Sequence, residues 1–314
     1  MKPVQCPNRR MLAERVRESS HPLEAPSFIL MSPTASDEVR LRRVAVALDG
    51  SESAWSALRL AIDIASAHGS RLLLMAVVPV APAFSAHETA ASALVGALRE
   101  DARESLREAR SRVDAAGLHS DETLAEGYAA EEIVSILERE GPDLAILGHR
   151  GLSAQRMHLV GSVGYNVAQF SPVPVLIARS DAFPRRILLP YDGSEAASRA
   201  ASWARTLATG PEASVTVLFV VPERPEETKF TVTRGVSEPF LGPLVDELTR
   251  AGIRVRRQVE YGHPAERIVN AAREGRSDLV VMGRVGRSGP AGFAVGGVTD
   301  KILHYAPTST LVVP

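Results

Sequence analysis

Short apolar runs alternate along the chain with longer stretches whose apolar residues recur every three or four positions. The runs read as buried strands over 43–48, 71–78, 121–126, 143–147 and 173–178. The periodic stretches read as helices over about 52–68, 88–116, 129–140 and 161–170. Leu58, Ala61, Ile62 and Ala65 form the apolar stripe of the first helix. Glycines punctuate the helix ends: Gly69, Gly117 and Gly141, then Gly210, Gly252 and Gly275. Each is expected to supply the left-handed residue that closes a helix. Asp49-Gly50-Ser51-Glu52 and Asp192-Gly193-Ser194-Glu195 read as helix starts, with polar caps and an acid in the first turn.

The pattern occurs twice. Arg42 to Glu52 aligns with Arg185 to Glu195 at an offset of 143, and Ala76-Val77-Val78-Pro79 with Phe219-Val220-Val221-Pro222 at the same offset. From Gly127, matching Gly262, the offset is 135, so the second copy is eight residues shorter between its second strand and Gly262. Strand–helix alternation of this kind predicts a parallel sheet covered on both faces. Ligands then bind at the carboxyl ends of the strands, where Asp49, Val77 to Pro79 and the loop from Gly148 converge. Residues 1–39 have no counterpart in the second copy. They are broken by Pro3, Pro7, Pro22, Pro26 and Pro33, and read as a disordered leader before domains at 40–180 and 181–314. Met31, close before the first strand, is an alternative start.

Composition narrows the function. Hydrophobic residues make up 45% of the 314, an ordinary globular proportion. A net charge of −1 gives no global attraction for nucleic acid or an anionic membrane. No apolar run reaches the ~18 residues of a membrane helix. The charged residues between Arg9 and Glu18 rule out a secretory h-region. With Cys6 as the single cysteine, no internal disulfide forms, and the cytoplasm is the expected compartment.

The candidate chemistry lies in glycine loops. Gly148, Gly151, Gly161 and Ser162 follow the apolar run Leu144 to Leu147. Gly283, Gly286, Gly296 and Gly297 follow Leu279 to Met282. A strand that empties into a glycine loop and then a helix suits phosphate, because backbone N–H groups approach the anion and the helix N-terminus adds positive potential. The same glycines would also serve turns and caps without a ligand. Asp49 and Asp192 are N-caps, ribose contacts or both. His149 and Arg150 sit between the paired glycines, where Arg284 and Val285 stand in the second copy; this variation argues that they face solvent. Arg156 and Arg287 are further phosphate neighbours, and His158, His263 and His304 read as structural. The chain has no Walker loop, no dinucleotide fingerprint after either first strand and no nucleophile elbow. No base is paired with Ser162 in a way that suggests catalysis.

These features together resemble the universal stress protein family in its tandem two-domain form. The resemblance rests on Val-Ala-Leu-Asp-Gly-Ser and Leu-Pro-Tyr-Asp-Gly-Ser after the first strands, the Val-Val-Pro strand ends, the two glycine loops, and final strands beginning at Ser171-Pro172 and Ala306-Pro307. It implies an α/β fold: two tandem five-stranded parallel-sheet domains with helices on both faces, Rossmann-like and adenine nucleotide alpha hydrolase-like. It also implies ATP as cofactor, with Mg as a possible companion. Asp49 and Val77 would hold the adenine and ribose end, and Gly148, Gly151, Gly161 and Ser162 the phosphates. The second set is Asp192, Val220, Gly283, Gly286, Gly296 and Gly297. Gly297 departs from the family's hydroxyl residue, which implies a weaker second site. The resemblance further implies that Val175-Leu176-Ile177 and Leu311-Val312-Val313, apolar strands at the sheet edges, pair domain 1 with domain 2. The expected partners are an adenine nucleotide, an unknown regulatory protein and a second chain in a homodimer, with no nucleic acid or membrane. The function expected is an ATP-binding regulatory or sensor module. The rivals are a slow ATPase or adenylate-handling enzyme and a nucleotide-free interaction scaffold.

Overall fold

The computed structural model describes residues 39–79, 88–151, 160–221, 237–286 and 295–314. The expectations about Cys6, the leader up to residue 38, Arg156, His158 and Arg287 lie outside the described residues. The first half runs β1 (Arg43–Leu48), α1 (Glu52–His68), β2 (Arg71–Pro79), α2 (Glu88–Ala115), β3 (Ser120–Gly127), α3 (Ala129–Glu140), β4 (Leu144–Gly148), α4 (Ser162–Phe170) and β5 (Val175–Ala178). The second repeats it: β6 (Arg186–Pro190), α5 (Glu195–Leu207), β7 (Ser214–Val221), α6 (Ser237–Arg250), β8 (Arg254–Tyr261), α7 (Pro264–Glu274), β9 (Leu279–Gly283), α8 (Gly297–Tyr305) and β10 (Ser309–Val313).

Local chemistry sets the element ends, with three departures from expectation. The caps of α1 and α5 are Ser51 and Ser194, not Asp49 and Asp192. Ser51 Oγ accepts from Ala54 N at 3.2 Å and Ser194 Oγ from Ala197 N at 3.1 Å. The aspartates sit two residues upstream of the caps, where each Oδ1 accepts from the cap residue's N–H at 3.0 Å. Gly69 and Gly141 are left-handed caps as expected. Gly210 is not a cap, because α5 already ends at Leu207 with Ala208 as its cap. Gly275 caps α7, its N–H bonded to Ala271 O at 2.9 Å, but it is right-handed, at φ −74°. The left-handed residue is instead Arg276, at φ 47°.

Within each half all strand pairs are parallel, and the two halves join into one ten-stranded sheet in the order β3-β2-β1-β4-β5-β10-β9-β6-β7-β8. The expected pairing of final strands is present. β5 and β10 run antiparallel, with Leu176 opposite Leu311, Ile177 opposite Thr310 and Val175 opposite Val312, all buried. Leu176 and Leu311 are themselves repeat equivalents, so the pseudo-two-fold passes through their pair. The core is continuous across this seam. On one face Leu144, Leu176, Leu311, Trp203 and Leu60 belong to one buried cluster; on the other, Leu303 and Val312 of the second half pack with Ile133 and Val167 of the first.

The antiparallel seam decides where the loops lie. Carboxyl ends of the first half's strands point to one edge of the sheet, and those of the second half to the opposite edge. Each loop helix runs back against its strands. The C-terminus of α4 therefore reaches the edge that carries the second glycine loop, and the C-terminus of α8 reaches the edge that carries the first.

Candidate functional site

In the first half β1 delivers Asp49 and β4 delivers Gly148 to the same strand ends. A Cβ on Gly148 would lie 2.7 Å from the backbone C and O of Ser53, so this glycine lets α1 close onto β4. A Cβ on Gly151 would lie 2.6 Å from Asp49 Oδ2, which brings the two predicted site residues into direct apposition. The turn between them is fixed by backbone bonds: His149 N donates to Ala178 O at 3.0 Å, and Gly161 N donates to His149 O at 2.8 Å. The second of these closes the loop at its far end. Gly161 is the N-cap of α4 and provides no side-chain cap to the first-turn amides. Ser162 stands exposed as the first helical residue, and Val77 lies half-buried near the end of β2.

The second half reproduces this frame. A Cβ on Gly283 would lie 2.6 Å from Ala196 Cβ, and one on Gly286 would lie 2.8 Å from Asp192 Oδ2. Arg284 N donates to Val313 O, and Gly296 N donates to Arg284 O at 2.9 Å. Gly296 is an N-cap without a side-chain bond, and a Cβ on Gly297 would have no neighbour within 4 Å. Val220 is partly buried near the end of β7.

The side chains between the paired glycines do not face solvent as the sequence suggested. His149 is half-buried, with Nδ1 2.9 Å from Ser53 Oγ, and Arg150 N donates to the same hydroxyl at 3.3 Å. The second half has Ala196 and Arg284 at these two positions, and Arg284 turns the other way. Its Nη1 donates to Ser171 O, the C-cap of α4, at 2.7 Å. Arg179, which follows β5, sits beside the first loop and crosses in the opposite sense. Its Nη2 donates to Leu303 O at 3.0 Å and His304 O at 3.4 Å, at the end of α8. Sequence reasoning missed Ser53, Arg179 and the reach of Arg284. The one available signal was the joint change from Ser53 and His149 to Ala196 and Arg284.

Positive charge gathers at both loops. Burial lowers the His149 pKa from its ordinary 6.5, and the nearby Arg179 and Arg150 lower it further, against a backbone bond at Ala178 that raises it. Burial also lowers the pKa values of Arg179 and Arg284, with Arg150 and Arg199 respectively adding to the effect. Both guanidinium groups donate to neutral backbone carbonyls. Amides without a side-chain cap, a helix N-terminus and arginines together favour an anion. Among the described residues no group of three His, Cys, Asp or Glu side chains is placed to hold a metal, and no helix is long and apolar enough to cross a membrane.

Comparison with known proteins agrees with this frame. The model of the universal stress protein family matches residues 40–179 and 184–314. A universal stress protein of Mycolicibacterium smegmatis is 27% identical over 288 residues, covering 86% of this chain and 96% of its own. One from Methanocaldococcus jannaschii is 27% identical over 153 residues, covering 48% of this chain and 90% of its own. Among solved structures, a universal stress protein from Archaeoglobus fulgidus superposes with a TM-score of 0.69 at 21% identity, over 87% of this chain and 98% of that one. Two successive family matches, on two halves that share one Rossmann-like α/β topology, establish that this chain belongs to the universal stress protein family as a tandem two-domain member.

Proposed function

We propose that the chain is a cytoplasmic regulatory module that binds ATP at its glycine loops. The observation that supports this most is the uncapped start of α4 behind a closed loop. Gly161 N is tied to His149 O at 2.8 Å, while the following amides have no side-chain cap. A phosphate chain would take those amides and the Ser162 hydroxyl. Asp49, fixed by Ser51 N and set against Gly151, would accept from ribose hydroxyls, with Val77 flanking the base. Gly148 would contribute by holding β4 close to α1 rather than by touching the ligand.

At the second loop Asp192, Val220, Gly283, Gly286 and Gly296 would act alike, and Gly297 would offer only its N–H. The missing hydroxyl weakens that site by about 1.5–3 kcal/mol, roughly tenfold or more. A divalent ion such as Mg would arrive with the phosphates and neutralise part of their charge. The test is native mass spectrometry of the purified chain, followed by identification of the released ligand and calorimetric titration with MgATP. An adenine nucleotide, retained or rebound, is the expected result. Absence of both retention and binding would reduce the protein to a scaffold. Phosphate release well above background would make it an ATPase instead.

A further inference from the structure

The antiparallel seam brings each loop to the tail of the other domain's loop helix, and an arginine makes the connection in both directions. Arg284 is rooted in the second loop: its N–H bonds Val313 O and its carbonyl accepts from Gly296 N at 2.9 Å. Its guanidinium caps α4 at Ser171 O, 2.7 Å away. The N-terminus of α4 is the first loop's wall of amides. Arg179 is rooted beside the first loop, since the preceding Ala178 O holds His149 N at 3.0 Å. Its guanidinium caps α8 at Leu303 O and His304 O, and α8 begins at the second loop. Between these ends the two helices are pinned by Tyr165 Oη donating to Asp300 Oδ1 at 2.7 Å, and by the Tyr165 and His304 rings 5.0 Å apart. Arg179 and Arg284 are not repeat equivalents: position 179 corresponds to Pro314, and position 284 to His149. Two different residues therefore make the same connection from opposite sides.

We infer that Arg179 and Arg284 are positioning residues that couple the two loops, so that an anion held at one loop strengthens binding at the other. This rests on the nucleotide reading above and adds its regulation. An anion that fixes a loop also fixes the arginine rooted in it. That arginine then holds the tail of the other loop helix, and the second ligand no longer has to order it. The coupling is positive and, carried by one cross-domain contact in each direction, is at the low end of measured couplings, roughly fivefold in affinity.

The experiment uses the full chain with MgATP as probe. Gly296→Leu blocks the second loop without placing an anion there, and calorimetry then reports the first site alone. Its affinity is expected to be about fivefold weaker than in the wild type with both sites open. In an Arg179→Gln, Arg284→Gln background the same block should leave first-site affinity unchanged, and lysines at both positions should restore part of the dependence. Equal first-site affinity with and without the block overturns the coupling. A second measurement needs no ligand. Hydrogen exchange of Arg284→Gln should rise at the loop end of α4, at the first bonded amides Tyr165 and Asn166, as well as beside Ser171. A rise confined to the Ser171 end is simple fraying and also overturns the inference. A flat wild-type titration rejects the nucleotide reading, and the exchange pattern then decides the coupling by itself.

Discussion

Two glycines of the first loop answer to different neighbours, and substituting them should move stability in opposite directions. At Gly148 a Cβ would meet the backbone C and O and the Oγ of Ser53, each at 2.7 Å. Ordinary contact begins near 3.4 Å, so α1 must retreat by about 0.7 Å to accept alanine. That helix carries Ala54, Ala57, Leu58 and Ala61 into the core and cannot move without loosening it. Overpacking of this kind costs about 1–3 kcal/mol, and a protein of this size loses roughly 2–4 °C of melting temperature per kcal/mol. At Gly161 a Cβ would find its nearest atom at 3.6 Å, and the backbone, at φ −64° and ψ 152°, suits any L-residue. Gly161→Asp places a preferred N-cap over the bare amides of α4 and adds a negative charge at the helix N-terminus. A gain of about 0.3–1 kcal/mol is expected. The same carboxylate occupies the amides a phosphate would use, so MgATP binding at the first site should fall at least tenfold. Thermal melts and calorimetry on Gly148→Ala and Gly161→Asp check both halves of the claim. A stable Gly148→Ala would refute the packing argument, and a Gly161→Asp chain that binds like wild type would remove the phosphate from this loop.

Three other outcomes are expected. Gly297→Ser, which has open space for its side chain, should raise second-site affinity about tenfold in a two-site titration; no gain would mean the hydroxyl does not reach the ligand. Burial lowers the pKa values of His68 and His149, so the folded state resists their protonation. Stability should be fully present above the unfolded-state value near 6.5 and fall as pH drops below it through the folded-state values. His68→Gln with His149→Gln should flatten that slope in melts between pH 7.5 and 5.5, and an unchanged slope would acquit both histidines. Leu176→Ala and Leu311→Ala, at the centre of the seam, should each cost about 2–5 kcal/mol in denaturant unfolding, and less than the sum when combined, because the two side chains share one site. Strict additivity would mean that they do not pack on each other.

The strands were legible because parallel strands buried on both faces leave unbroken apolar runs: Leu144 to Leu147 and Leu72 to Met75 admit little else. Helix ends were legible where a glycine supplies a left-handed turn at once, as at Gly69 and Gly141. The handedness was not legible at α7, where Gly275 caps the helix in a right-handed conformation and the positive φ falls on the next residue, Arg276. The glycine loops stood out as spacing, but the reason for each glycine did not. Gly148 answers to the backbone of Ser53 and Gly151 to a carboxylate oxygen of Asp49, both about a hundred residues away in sequence.

The crossed arginines mark where reading one copy at a time stops. A repeat invites the assumption that equivalent positions do equivalent things, and for Asp49 with Asp192 or Gly151 with Gly286 the geometry is the same twice. The seam breaks that rule, because it makes contacts that neither copy has alone. Once β5 and β10 meet antiparallel, the tail of α4 needs a donor for its last carbonyls and finds Arg284 at the neighbouring loop. The tail of α8 has the same need, but position 149 carries a histidine already engaged with Ser53, and Arg179 from the strand end fills the role. The departure of His149 and Arg284 from each other therefore follows from their neighbours. One residue satisfies its own domain and the other satisfies its partner. Exchanging them, His149→Arg with Arg284→His, should leave Ser171 O without its donor and Ser53 Oγ without its ring nitrogen. That should weaken the seam although composition and charge stay the same.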